Sequence, residues 1–423
     1  MYGSRGANGV IIISTKSGSK STETSISLSS SYGSSSMATS MHRLLDINRY
    51  TEYFWEGYRN RELYENNNSP ELAATLASNN LVSSLGYNPY GVDQPVNEQG
   101  DLVASPAWNT DWKKTIINEN AYKVQHGVSV SGGGEKTSFY FGSNYLREEG
   151  QVKTTYFERV ATRLKVDTQV KEFIETGLNI SYTSSKQNSP NQSGSAFSNS
   201  IQWIYSLPSY YPIYRRNNNG ELITQNGKDF ILDYGGNNLQ IINGVRPAFS
   251  GENAYGAIIN NEILNRNSYI SLNGYLKFEL LKKLNFNSQF AYENATVDNF
   301  RFDNNQFGAA ASVDGRVSQI RNFFTTINAI QTINYNNTLG AHTIKADAIF
   351  ETYEFEENLM SARGIGFLPN ISVLNGSTSP ESVGGAINKE RLLSMICRIN
   401  YGFKRKFILE ASFRRDGSSK FSR

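Results

Sequence analysis

The side chains that most often do chemistry are few and scattered in this sequence. His42, His126 and His342 lie far apart, and no two stand at the spacing by which a chain chelates a metal. They read as ordinary surface or strand residues. Cys397 is the only cysteine, so the chain can form neither an internal disulfide nor a thiolate cluster. Glu148 and Glu149 are adjacent but have no partner at acid–base spacing. Asp298, Asp303 and Asp314 share one connecting segment, yet their spacing does not match a standard calcium loop. With no nucleophile–base constellation, we expect no enzymatic activity, no metal and no cofactor.

Two other groups remain. The first is glycine-rich: Tyr2, Gly3, Arg5, Gly6, Asn8 and Gly9 precede a β-branched run at Val10–Ile13. These glycines permit positive φ and close backbone approach before a strand. A phosphate-cradling loop is unsupported, because no strand precedes the motif and no helix follows it. Gly132–Gly134 likewise reads as a turn. The second group is aromatic: Trp203, Tyr205, Tyr210, Tyr211 and Tyr214 crowd one segment. Their faces suit stacking on a sugar or gripping a peptide; the alternative is that they pack loops or form an interfacial girdle.

The elements that position these residues are strands. The 423 residues are 38% hydrophobic but 12% aromatic, with Ser, Asn, Thr and Gly abundant, a mix that suits strands and turns. The net charge of +3 gives no argument for nucleic acid. Strict alternation recurs along the chain. Ile270, Leu272, Gly274, Leu276, Phe278 and Leu280 interleave with Ser271, Asn273, Tyr275, Lys277 and Glu279. Val160–Val166, Ile174–Tyr182, Leu284–Tyr292, Ile344–Phe350 and Leu393–Phe403 repeat the pattern. On this register Cys397 faces the apolar side and is inert. We expect about eleven strands, many near ten residues, the length a tilted strand needs to cross a bilayer.

The connections alternate too. Short ones fall at 131–136, 169–171, 281–283, 336–341 and 402–405. Long ones fall at 33–118, 186–263, 298–317 and 358–384, with 148–155 a shorter member. Short turns on one rim and long loops on the other fit an outer-membrane barrel. The long loops include an expected amphipathic helix over His42–Tyr58 and a short one over Ser195–Leu207. The second strand face carries Arg159, Arg163, Lys165, Asp167, Glu175, Lys277, Glu279, Lys345, Asp347, Glu351 and Arg398. A small closed core could not hold these charges, whereas a wide, plugged lumen could. No run of about 18 apolar residues offers a spanning helix. A soluble sheet with one wet face, as in a secreted or surface adhesin or lectin, and a passive porin are the competing readings.

The opening Tyr2–Lys16 closely resembles the end of the plug domain in TonB-dependent outer-membrane transporters, and Ser4-Arg5-Gly6-Ala7-Asn8-Gly9 resembles the SusC/RagA branch. Three more segments are similar to that branch: Asn109–Trp112 before Val128–Gly133, Glu135–Tyr140 leading to Glu149-Gly150, and Phe413–Phe421. The resemblance implies an all-β fold. It implies a transmembrane antiparallel β-barrel of 22 strands in the parent, about eleven of them here, with the C-terminal end of a plug over residues 1–18 and barrel over 19–423. It implies residence in the outer membrane among its lipids, a gating role for the opening motif with Arg5 among wall carboxylates, and import of oligosaccharides or peptides. The implied partners are a SusD-like lipoprotein and, through a segment not in this sequence, TonB. Met1 runs directly into the motif without a leader, and both ends read as cut. A half-barrel has two open edges, so we expect this polypeptide alone neither to insert nor to transport.

Overall fold

A computed structural model describes residues 15–42, 44–190, 199–217, 220–235, 246–368 and 371–421. The opening glycine motif, Tyr2 to Gly9, lies outside them. Eleven strands form one antiparallel sheet: β1 (Thr22–Ser35), β2 (Ala121–Gly133), β3 (Thr137–Glu149), β4 (Tyr156–Lys171), β5 (Ile174–Asn188), β8 (Glu262–Leu281), β9 (Leu284–Asp303), β10 (Arg316–Leu339), β11 (His342–Ile365), β12 (Ser379–Phe403) and β13 (Phe407–Ser418). A two-residue pair, β6 (Thr224–Gln225) and β7 (Asp229–Phe230), sits in the β5–β8 connection. Each sheet strand pairs with its neighbour in sequence, an up-and-down meander whose edges among the described residues are β1 and β13.

The register explains the alternation. Ile26 lies opposite Val130, Val130 opposite Phe141, Phe141 opposite Leu164, Leu164 opposite Ile180, and Ile180 opposite Leu272. A row of apolar side chains therefore runs across six strands on one face. On the other face Lys165, Asn179, Asn273 and Asn328 form a polar row, with the small Ala291 between the last two. The exposure is the reverse of a water-soluble sheet. Leu28 is 78% and Phe413 66% exposed on the apolar face, whereas Ser394 is 0% and Glu351 8% exposed on the polar one. An apolar surface of that breadth needs lipid, not water, against it. Cys397 stands on this apolar face, between Met395 and Ile399, and is exposed.

Two expectations need correction. The strands are longer than ten residues: β8 to β12 have 20, 20, 24, 24 and 25. A 24-residue strand tilted by about 40° rises about 60 Å, against about 25 Å of apolar band. The excess is visible on β12. Its outward residues are apolar from Tyr401 through Ile399, Cys397 and Met395 to Leu393, and then Arg391 and Lys389 pair with Glu354 and Glu356 of β11 at 2.9 and 2.8 Å. The expected ten residues describe the band alone, because outside lipid a strand can continue with any outward side chain. The long connections are correspondingly shorter than expected; β11 and β12 converge to 366–378.

The second correction concerns the loop helices. The first, α1, is Ile47–Tyr64, starting five residues later than His42 because Asp46 caps it: its Oδ1 accepts the Asn48 and Arg49 amides, each at 3.0 Å. The next, α2 (Pro70–Leu85), was not anticipated, although Ser69-Pro70 at its start and Gly86 at its end are start and stop residues. Gly86 takes φ +76°, the left-handed cap that costs a side-chain-bearing residue. Two more short helices are α3 (Trp112–Ile116) and α4 (Ser200–Ser206), the latter inside the expected Ser195–Leu207. Residues 191–198 are outside the described set. The last, α5 (Ala254–Asn260), was not anticipated. Among the described residues no helix is long and apolar enough to cross a membrane.

Candidate functional site

All long connections leave one rim of the sheet, and three of them fuse into a folded cap. Leu81, Leu85 and Ala77 of α2 pack with Ile47 and Trp55 of α1, with Trp112 and Ile116 of α3, with Val152 of the β3–β4 loop, and with Trp203, Ile204, Tyr210, Tyr211 and Ile258 of the β5–β8 connection. Leu81, Leu85 and Ile116 are fully buried. Truncating one such leucine costs about 2–5 kcal/mol.

At the centre lies a polar clasp. Asp233 and Arg246 form an ion pair at 2.5 Å with both side chains 3% exposed. Tyr87, from the β1–β2 connection, donates its phenol to the same Asp233 Oδ1 at 2.5 Å and accepts from Arg246 Nε at 3.1 Å. Arg246 Nη1 donates to the Glu252 and Phe249 carbonyls at 2.8 and 3.2 Å, and its guanidinium lies over the Tyr211 ring at 4.7 Å. Asn253 Nδ2 donates to the Asp233 and Ile213 carbonyls at 2.7 and 2.9 Å. Gly235 takes φ +65°, and a Cβ there would collide with the Arg246 side chain. Burial, with the Asp233 carboxylate second, pushes the Tyr87 phenol far above its ordinary value, so it stays protonated and donates. Nearby, burial pushes the Glu252 carboxyl up to about 7, with Arg246 pulling it back.

The five aromatic candidates separate on this scaffold. Trp203, Tyr210 and Tyr211 are 2%, 3% and 1% exposed and pack the cap interior, which closes them to direct ligand contact in this conformation. Tyr205 is exposed and lines a cleft of about 570 Å³ with Leu44, Leu45, Tyr50 and Pro208. Tyr214 is half-buried and lines a second cleft, also about 570 Å³, with Trp108, Lys114, Lys153, Arg216 and Tyr255. The sequence reading missed these cations and Tyr255; the run Tyr214-Arg215-Arg216 was the one available signal. Among the described residues no three His, Cys, Asp or Glu side chains gather to hold a metal.

The polar wall below the cap is cross-linked. Tyr275 Oη lies 2.9 Å from Asp167 and 2.8 Å from Glu175, Lys277 pairs with Glu175 at 3.1 Å, and Arg398 pairs with Glu410 at 2.6 Å. Arg163, on this face, bonds Asn179 at 3.0 Å and also the Thr15 hydroxyl, at the end of the opening segment.

No protein-family model matches the chain. Its whole length is similar to TonB-dependent receptor P3 of Formosa agariphila, at 24% identity over 36% of that protein, and to TonB-dependent receptor SusC of Bacteroides thetaiotaomicron, at 23% identity over 38%. The chain thus spans just over a third of the length of these curated relatives. Among solved structures, the RagAB peptide importer superposes on the entire chain in its closed-closed state, with a TM-score of 0.65 at 21% identity over 45% of that chain. Its open-open state gives 0.67 at 20% identity, over 99% of this chain and 44% of that one. The chain is thus similar in sequence to a stretch of TonB-dependent receptors, SusC among them, and its fold is that of part of the RagAB β-barrel wall.

Proposed function

We propose that this chain is the wall-and-cap portion of a TonB-dependent outer-membrane importer of oligosaccharides or peptides. Residues 1–18 end its plug, and residues 19–423 belong to the barrel and its loops. The observation that carries the reading is the sheet itself: eleven meandering strands, apolar outward and ionic inward, with every long connection on one rim. Such a wall suits lipid outside and a hydrated, plugged lumen inside. The Arg163–Thr15 contact supports a plug end resting on the polar face.

The folded cap is the surface on which cargo and a SusD-like lipoprotein meet the barrel, and TonB supplies the energy through a plug-side segment. The SusC likeness and the fold of the RagAB importer support this assignment. The test is fractionation followed by uptake. An antibody to residues 199–217 should detect a heat-modifiable outer-membrane band, and disrupting the gene should abolish uptake of one oligosaccharide or peptide class. A soluble product with unchanged uptake would sink the proposal.

A further inference from the structure

We propose that the cleft between α3, the β3–β4 loop and the ridge 212–216 binds an acidic oligosaccharide, with its anionic group on Arg216 and Lys114 and a sugar ring against Tyr214 and Tyr255. The proposal rests on the importer reading and specifies the chemistry of its cargo.

Three cations, Lys114, Lys153 and Arg216, line this cleft against one carboxylate, Asp111. That carboxylate is engaged, because its Oδ1 accepts the Lys114 amide at 2.9 Å and caps α3. Lys153 Nζ reaches the Lys114 carbonyl at 2.8 Å, which brings the two lysines together. Arg216 is the unusual member. Its guanidinium lies over the Trp108 ring at 5.4 Å, Nη1 donates to the Gly220 carbonyl at 2.6 Å, and Nε is buried with no acceptor among the described residues. Burial pulls its pKa down, and among the described residues no carboxylate opposes the effect. Arg246 shows the contrast within the same cap, a buried guanidinium whose Nε and both Nη atoms are met by partners. A half-buried cation without a counter-charge is favoured by an anion that completes it, and guanidinium binds carboxylate or sulfate oxygens in pairs.

The lining of the cleft argues for a saccharide over a peptide. Around the ridge, the Arg215 amide donates to Ile231 at 2.7 Å, the Arg215 carbonyl accepts from Ile223 at 2.9 Å, and the Ile213 carbonyl accepts from Asp233 at 3.0 Å. These main-chain groups are therefore occupied and closed to an extended peptide on that side of the ridge. What the cleft presents instead is aromatic surface, with Tyr214 and Tyr255 edge-on at 6.3 Å, beside charge.

The intact transporter in detergent is titrated calorimetrically with uronate-bearing and sulfated oligosaccharides, neutral oligosaccharides of equal length, and acidic peptides. An acidic saccharide should bind at least about tenfold more tightly than any neutral one, and R216Q should remove about tenfold of that affinity while sparing the neutral sugars. R216K should recover part of the loss, because the charge returns without the fork. K114Q, at an exposed position, should cost about threefold and carries the test if R216Q does not fold. No acidic preference in the wild type, unchanged binding in K114Q and R216Q, or an Arg216-dependent acidic peptide in place of a saccharide would each overturn the proposal. Uptake of neutral sugars without acidic preference would overturn it while the importer reading stands. Loss of outer-membrane location would instead overturn the importer reading.

Discussion

Tyr87 and Asp233 are 146 residues apart in the chain, and their side chains meet at 2.5 Å in the buried centre of the cap. One comes from the β1–β2 connection and the other from the β5–β8 connection, so their contact ties two otherwise separate loops. Asp233→Ala would leave the Arg246 guanidinium buried without its counter-charge and should cost about 3–5 kcal/mol of cap stability. Tyr87→Phe, which removes the donor to Asp233 and the acceptor of Arg246 Nε but keeps the ion pair, should cost about 1–3 kcal/mol. Hydrogen exchange of α1 and α2 should accelerate in that order while β8 to β12 stay protected. Equal exchange in variant and wild type would show that the clasp does not hold the cap.

The inverted exposure of the sheet predicts opposite responses at adjacent residues. Ile399 faces outward and Asn400 inward. Ile399→Arg should cost about 2–4 kcal/mol near the bilayer midplane, whereas Asn400→Arg should be close to neutral. Chemical unfolding of the full barrel in lipid measures both; a costlier change at Asn400 would reverse the assignment of faces.

Cys397 provides a native reporter on the same face. It is exposed, and in a bilayer its thiol should meet hydrocarbon, which a charged reagent does not enter. A small lipid-soluble maleimide should label it in intact outer membranes, and a charged, membrane-impermeant one should not. Rapid labelling by the charged reagent would place this stretch of β12 in water.

Glu252 gives the cap a pH dependence. Its folded pKa of about 7 lies above the ordinary 4.5 because burial disfavours the carboxylate. Between these values the folded cap holds the proton more tightly than the unfolded chain does. Stability is therefore complete below about pH 4.5, falls as pH rises through the folded value, and loses nothing more above it. The loss should be on the order of 1–2 kcal/mol, reduced from the full shift because the side chain is partly solvated. Glu252→Gln should flatten this profile in pH-dependent hydrogen exchange; an unchanged slope would assign it to another group.

The wall was legible in the sequence because a strand has a period of two. Leu393 to Phe403 and Ile270 to Leu280 display their two faces without knowledge of any partner, and the short turns and long loops between such runs order the strands as a meander. Local chemistry also marked α1 and α4, and the Ser69-Pro70 start and Gly86 stop of α2 were present though unread. Strand ends were not legible, because above the lipid band the outward positions need no longer be apolar.

Residue order alone sets the two faces of each strand, the turn side and loop side, and the stock of aromatic residues. Tertiary structure decided what those aromatics do. Trp203, Tyr210 and Tyr211 belong to the cap core, while Tyr205 and Tyr214 reach clefts. Periodicity cannot make that distinction, because irregular loops have no repeat. Whether a loop side chain is interior or accessible depends on which distant loop lies over it, as Tyr87 lies over Asp233. The same holds for charge: Arg216 and Arg246 are equivalent as letters, and only folding supplied one with a carboxylate and left the other beside an open cleft.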